Sequence, residues 1–320
     1  RKKTPELIER IQAIMTHETA GDPISGLKWT RRTTSKIAGE LSLHGIHVSA
    51  NTVAIILKSM GFSLRGNHKK KSNGSPTNRD AQFLYIADLR QKFSAQGYPI
   101  ISVDAKKREH IGEFKNPGTS WEREAVRVND HDYGSLARGI GIPYGIYDIQ
   151  ANWGAVYVGT TFDTSEFAVD SIGKWWTEDG SLRYPNTREL LILADGGGSN
   201  ASSRRAWKYY LQQTLCNRHH LTVTVAHFPP GTSKWNPIEH RLFSEISKNW
   251  AGRPLDSYET IINYIRTTKT STGLRVKSHL VQKQYMKGIR ITDDQMQEIC
   301  MSRNGSLPKW NYTIQPSEMR

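Results

Sequence analysis

Cysteine is scarce: the 320 residues contain two, Cys216 and Cys300, with no CxxC pair. Neither a disulfide framework nor a cysteine zinc site is therefore expected, and Cys216 with His219 and His220 would make a poor tetrahedral set. Long hydrophobic runs are also missing. No window approaches the roughly 18 consecutive apolar residues that a spanning helix needs, and no signal peptide is visible, so a reducing cytoplasm is the expected location. Acid is in deficit, with 30 Asp plus Glu against 44 Lys plus Arg and a net charge of +14. More than half of that excess falls within residues 1–80. A basic surface can be merely solvated, but this bias also fits a polyanionic partner. The chain begins at Arg1 rather than Met, which leaves upstream sequence open. Its length allows two or three domains.

Leu7, Ile8, Ile11, Ile14 and Met15 recur at helical spacing behind Pro5, which predicts a first helix. A second helix is expected over 34–43, with Ile37, Ala38 and Leu41 inward and Gly45 as its stop. Ser49 is a good N-cap for a third helix over 50–60, whose Val53, Ile56, Leu57 and Met60 form an i, i+3, i+4, i+7 stripe ending at Gly61. This is a helix-turn-helix pattern. With the stripe inward, Asn51, Thr52 and Lys58 face away, where a recognition helix reaches base edges. A three-helix bundle without a ligand would show the same periodicity, and the charge bias favours DNA. Residues 64–80 hold Lys69, Lys70 and Lys71 among Gly, Ser, Asn and Pro, and read as a linker able to lie along phosphates. A connecting helix is expected over 81–93.

From Pro99 the pattern alternates between strands (99–104, 143–149, 154–161, 189–195, 221–228) and helices (164–176, 202–216, 236–249). Three early strands followed by helix, strand, helix, strand, helix is the order of a ribonuclease-H-like core, an α/β fold with a mixed sheet flanked by helices. Segment 105–142 is expected as an inserted hairpin or a substrate-contacting loop. The expected division is a helix-turn-helix domain over 1–63, a basic linker and connecting helix over 64–98, a catalytic domain over 99–290 and a tail over 291–320.

Three acids stand out. Asp104 ends the apolar run Ile100-Ile101-Ser102-Val103, Asp195 ends Leu190-Leu191-Ile192-Leu193-Ala194, and Glu239 opens a helix that Asn236 would cap with Pro237 at its first position. Leu242, Phe243 and Ile246 follow Glu239 at i+3, i+4 and i+7, which puts the acid on a buried face. A carboxylate there needs a partner or a metal, although a first-turn Glu also suits the helix dipole. Carboxylates at two strand ends and one helix start can hold two Mg²⁺ ions around a phosphodiester, with Mn²⁺ able to substitute. Asp104 would bridge the ions, and Asp195 and Glu239 would each hold one. Gly196-Gly197-Gly198 after Asp195 permits close approach of a phosphate, and the helix expected from Ser202 offers amide donors. Asp130, Asp132, Asp148 and Asp163 are expected to be solvated or turn-forming, and Trp175-Trp176 to be core.

Three segments carry a resemblance: Ser102-Val103-Asp104-Ala105-Lys106-Lys107, Leu193-Ala194-Asp195-Gly196-Gly197-Gly198-Ser199-Asn200, and the run Pro229 to Phe243 containing Asn236-Pro237-Ile238-Glu239. They look like the Rhodopirellula-type DDE transposases, bacterial insertion-sequence enzymes related to the mariner superfamily. The likeness continues through Trp250–Leu255 and Thr272–Val276 to Pro308–Tyr312. It implies that Asp104, Asp195 and Glu239 are the catalytic and metal-binding triad, although the second and third acids stand further apart than in typical mariner relatives. Such relatives often carry paired helix-turn-helix units, and one is evident here. The implied reaction is cleavage at insertion-sequence ends and transfer of the 3′-hydroxyl to target DNA. Lys106, Lys107, Lys234 and Arg241 would contact phosphates. The implied partners are the double-stranded terminal inverted repeats and target DNA, met by a homodimer or a DNA-assembled oligomer at the nucleoid. A nuclease without strand transfer, or a catalytically dead DNA-binding regulator, are the alternatives.

Overall fold

The computed structural model describes residues 4–17, 20–21, 28–29, 33–62, 76–119, 124–305 and 307–317. The chain divides into two compact units, Arg1–Lys71 and Ser72–Arg320. Lys69, Lys70 and Lys71 lie outside the described residues.

In the first unit, α1 (Thr4–His17), α2 (Thr34–Leu43) and α3 (Ala50–Ser59) accompany a two-residue pairing of β1 (Ala20–Gly21) with β2 (Lys28–Trp29). The apolar stripes meet in one core, where Ile11, Ile37, Leu41 and Val53 are fully buried and Leu57 and Met60 sit at its margin. The side chain of Met15 lies outside the described residues. Both helix starts are hydroxyl-capped, Thr33 accepting from the Lys36 amide and Ser49 from the Thr52 amide, each at 3.2 Å. Gly45 and Gly61 take left-handed backbone just past the helix ends, at φ 77° and 83°. Asn51, Thr52 and Lys58 are exposed.

The second unit is a mixed sheet of nine strands flanked by helices. Its centre is β3 (Ile100–Ala105). On one side β3 pairs antiparallel with β5 (Gly139–Asp148), which pairs antiparallel with β6 (Trp153–Gly159). On the other, β7 (Glu189–Ala194) and β8 (Thr222–His227) run parallel to it in turn. Short β4 (Glu109–Ile111) pairs with the start of β5, so the 105–142 segment is partly a hairpin. β9 (Arg275–Val281) closes one edge beside β6, and β11 (Asn311–Ile314) with β10 (Met301–Arg303) extends the other beside β8. Among the described residues, no helix is long and apolar enough to cross a membrane.

The strand pleat sorts side chains between two faces. Ile101 and Val103 of β3, with Ile192 and Ala194 of β7, pack beneath α5 (Ser165–Trp175) and α7 (Arg205–Tyr210) in a core that includes Trp175 and Trp207. The pair Trp175-Trp176 is core, as its position in an amphipathic helix implied. A π turn (Trp176–Gly180) leads from α5 into the single turn α6 (Ser181–Arg183). On the opposite face Ile100, Leu191 and Leu193 meet α4 (Pro76–Ala95), and Val156 and Val158 meet α8 (Ser244–Asn249) and α9 (Tyr258–Arg266).

The structure departs from expectation in three places. The helix expected over 202–216 is α7 followed by a π turn, Leu211–Asn217. The connecting helix is longer than the expected 81–93 and packs as part of the second unit. Segment 291–320 is no tail: it supplies α10 (Asp293–Gln297) and two strands, and buries Tyr312 and Ile314. A strand of four residues leaves a weak local signal, and its apolar positions become meaningful only beside β8.

Candidate active site

Asp104 and Asp195 emerge on neighbouring strands. β3 and β7 are parallel with Val103 opposite Ala194, so the next position on each carries an acid. Both acids continue the series facing α4 and the Glu239 segment, because they alternate with Val103 and Ala194, which face α5. Asp104 is 8% exposed and Asp195 half-buried. The backbone fixes each carboxylate: Ala105 donates to Asp104 Oδ1 at 2.7 Å, and Gly197 to Asp195 Oδ1 at 3.1 Å. The first task of the glycine loop is thus to hold its own acid. The amide donors expected from a helix at Ser202 are not there, since α7 begins at Arg205.

Glu239 comes from the crossing segment. It opens a π turn, Glu239–Phe243, that leads into α8, with Ile238, Leu242, Phe243 and Ile246 buried against the sheet. Asn236 is not the cap the sequence promised. Its Oδ1 accepts the hydroxyl of Ser102, whose oxygen accepts the Ile238 amide at 3.1 Å, while the Glu239 amide reaches only the Asn236 backbone carbonyl, also at 3.1 Å. The helix start is therefore capped by a serine two residues before Asp104. Its register to the sheet is also set by Gly145, which pairs with Asp104. A Cβ there would lie 2.5 Å from the Phe243 ring and 2.8 Å from Ile238 Cδ1.

Burial first, then the charges of Asp195 and Glu239, push the Asp104 carboxyl up to about 8. Burial also raises Asp195. Tyr144 stands beside them, its phenol raised by burial and then by Asp104, and its hydroxyl donates to Asn200 Oδ1 at 2.9 Å.

A chain of buried polar groups supports Asp195 from behind. Trp207 Nε1 donates to the Tyr312 hydroxyl at 2.9 Å, that hydroxyl lies 3.1 Å from His227 Nε2, and His227 Nδ1 lies 3.0 Å from the Asp195 carbonyl. The self-consistent tautomer carries its proton on Nδ1: tyrosine donates to Nε2 and the imidazole donates to the carbonyl. Burial depresses His227 to about 4, which keeps it neutral. Gln82 of α4 joins this chain by donating to the His227 carbonyl at 2.8 Å and pairing with Asn311. Ser102 and Tyr312 fell within the segments that carry the resemblance but with no role of their own, and Gly145, His227 and Trp207 carried no signal in sequence, since their partners are distant along the chain.

Other expectations need correction. Asp148 is not solvated: fully buried, it accepts from the Gln150 and Ala151 amides, the Tyr184 hydroxyl and Arg183. Lys106 is not free for phosphate, because its Nζ is 2.9 Å from Glu109 Oε1 and 4.7 Å from the Trp250 ring centre. Lys107, Lys234 and Arg241 are exposed, and Lys234 lies over Trp235. Asp130, Asp132 and Asp163 are exposed. The Cys216 thiol is buried and donates to the Ile314 carbonyl.

The donor set suits a hard divalent cation: three carboxylates whose mutual repulsion a cation would relieve. Among the described residues no three His, Cys, Asp or Glu side chains gather closely enough to hold one ion.

A family model described as Rhodopirellula transposase DDE domain matches residues 10–316. Among solved structures, the chain is similar to a Mos1 transposase paired-end complex with left transposon end, at 14% identity and a TM-score of 0.43, covering 81% of this chain and 69% of that one. It is similar to the Mos1 strand transfer complex at 13% and 0.42, covering 81% and 68%. The values for the Mos1 mariner paired end complex with Mn are 13% and 0.41, covering 81% and 69%. No curated protein matches the chain.

Proposed function

The chain belongs to the Rhodopirellula transposase DDE-domain family, and from that premise we propose that it cuts DNA at the ends of an insertion sequence and joins the freed 3′-hydroxyl to target DNA. The observation that carries this reading is the convergence of Asp104, Asp195 and Glu239 from adjacent strand ends and a crossing helix of a ribonuclease-H-like sheet. Two Mg²⁺ ions, or Mn²⁺ in their place, with Asp104 shared and Asp195 and Glu239 on one each, would supply the charge that activates water or hydroxyl and stabilises the departing oxygen.

The protein's own part is to aim these oxygens and keep them fixed. Water adds to the phosphorus that joins the element's terminal 3′-oxygen to the flanking DNA as that P–O3′ bond breaks, which leaves the 5′-phosphate on the flank. The 3′-hydroxyl so freed then attacks a target phosphodiester and expels that strand's 3′-oxygen. Each step replaces one P–O bond with another, so no covalent protein–DNA intermediate is required. Exposed Lys107, Lys234 and Arg241 serve as phosphate contacts. In the first unit, α2 and α3 act as a helix-turn-helix, with Asn51 and Thr52 at the start of α3 reading bases and Lys58 on a phosphate. Two ends have to meet, which calls for a dimer or a DNA-assembled oligomer.

The test is divalent-metal-dependent cutting and joining of a labelled duplex bearing the terminal repeat, compared with Glu239→Gln. Both activities should vanish in the variant while duplex binding persists. Cutting without joining would leave a nuclease, and binding without cutting in Mg²⁺ or Mn²⁺ would leave a regulator.

A further inference from the structure

Beside Glu239 lies a cavity of about 530 Å³, lined by Arg90, Tyr147, Ile149, Pro237, His240 and Arg241. None of the six is acidic. Arg90 comes from α4, Tyr147 and Ile149 from the end of β5 and the residue after it, and the other three flank Glu239 in sequence. Among the described residues no carboxylate pairs with Arg90 or Arg241, so two exposed guanidinium groups face one opening without compensation. Burial raises the Tyr147 phenol; the Arg241 charge opposes that rise, the buried Asp148 adds to it and the Arg90 charge opposes it. The Tyr147 hydroxyl is committed to Asn152 Oδ1 at 2.9 Å. Tyr147 is itself buried, at 4% exposure, so it offers the cavity only the rim of its ring, beside the apolar surfaces of Ile149 and Pro237.

Apolar walls with a cationic rim match a nucleotide: a π-face for the walls and a phosphate for the rim. The volume falls in the range of small-ligand sites. We propose that this cavity takes one unpaired nucleotide of a DNA strand passing Glu239, with the base against Tyr147, Ile149 and Pro237 and the phosphate on Arg90 and Arg241. The inference rests on the DNA-strand reading above and adds a subsite to it. Planar guanidinium groups suit a phosphate held from two sides, and apolar contact with the face of a base tolerates any sequence.

The test uses the full chain in EDTA, so it does not depend on cutting. Binding of a short fluorescein-labelled oligothymidylate is followed by anisotropy for wild type, Arg90→Gln, Arg241→Gln and Lys92→Gln. Lys92 is exposed, pairs with Asp88 and belongs to the same helix as Arg90 without lining the cavity. Each arginine variant should weaken binding about tenfold, with Lys92→Gln unchanged. An oligonucleotide with abasic positions should bind wild type more weakly than the parent strand. A 5-iodouracil strand should photocross-link to the peptide containing Tyr147. Equal losses in all three variants, or abasic and parent strands binding alike, would overturn the pocket. Cross-links confined to residues 1–71 would do the same. If cutting fails yet binding responds as described, the subsite stands and the transposase reading falls; if cutting succeeds and binding is insensitive, the reverse holds.

Discussion

Tyr312→Phe removes one oxygen and leaves two buried groups stranded. Trp207 Nε1–H loses its acceptor at 2.9 Å and His227 Nε2 its donor at 3.1 Å. Trp207, His227 and Tyr312 are all buried, so water cannot replace the hydroxyl without disturbing the core. An unsatisfied buried donor or acceptor costs about 1–3 kcal/mol, so with two such groups the variant should lose about 2–6 kcal/mol of stability. That is a large share of the roughly 5–15 kcal/mol typical of a folded domain. A second effect reaches the site. With Nε2 no longer held as an acceptor, the imidazole is free to move its proton there, and the Asp195 carbonyl then loses its donor at 3.0 Å. Urea unfolding reads the first effect as a lower midpoint at unchanged slope; the second appears as slower cutting at a temperature where the variant is folded. A loss under about 1 kcal/mol together with wild-type cutting would refute the argument that this hydroxyl links β11 to the second acid.

Gly145→Ala has no room for its methyl group against Phe243 and Ile238; overpacking of about 1–3 kcal/mol is expected, and cutting should fall further than stability because those two residues flank Glu239. Asp148→Ala strands Arg183, the Tyr184 hydroxyl and two amides, a loss of about 3 kcal/mol by urea titration, whereas Asp148→Asn should lose less by keeping the turn. For pH, His227 stands at about 4 in the fold against an ordinary value near 6.5. The fold therefore binds fewer protons than the unfolded chain between those values, and this contribution is complete above pH about 6.5 and lost toward pH 4, about 3 kcal/mol in all. Asp104, raised to about 8, acts in the opposite sense, its effect falling on stability as pH rises from near 4. The difference between wild type and His227→Gln isolates the histidine, and a difference constant from pH 7 to pH 5 would contradict its buried neutral state.

The elements legible in sequence were those whose signal is local. Ile37, Ala38 and Leu41 declare one helix face and the Ser49 hydroxyl declares a start, and both are as expected. The apolar runs before Asp104 and Asp195 could only be buried strands. What escaped depended on partners far along the chain. Asn236-Pro237 carries the local mark of a cap, but Ser102, held in place by β3, is the better-placed hydroxyl, and the amide of Asn236 turns to it. Asp148 is the turn residue it resembled, accepting the Gln150 and Ala151 amides, but its burial escaped notice because Arg183 and Tyr184 become its neighbours only after folding. Lys106 looked like a phosphate contact until β4 delivered Glu109.

The supports of the three acids share one property: they are neutral. Ala105 and Gly197 hold two carboxylates through amides, His227 holds the Asp195 carbonyl as an uncharged imidazole, and Ser102 holds the Glu239 helix through a hydroxyl. Lys106, the basic residue nearest to Asp104 in sequence, is turned to Glu109 instead. A lysine or arginine inside the cluster would quench the repulsion that raises Asp104, and the site would then have less reason to attract a cation. Neutral supports fix the geometry and leave the negative charge uncompensated within the fold. Replacing one of them by a cation, as in Ser102→Lys, should therefore damage divalent-ion binding more than Ser102→Ala does, although both remove the same cap. Equal metal affinities in the two variants, measured by calorimetry, would show that geometry rather than charge governs the site.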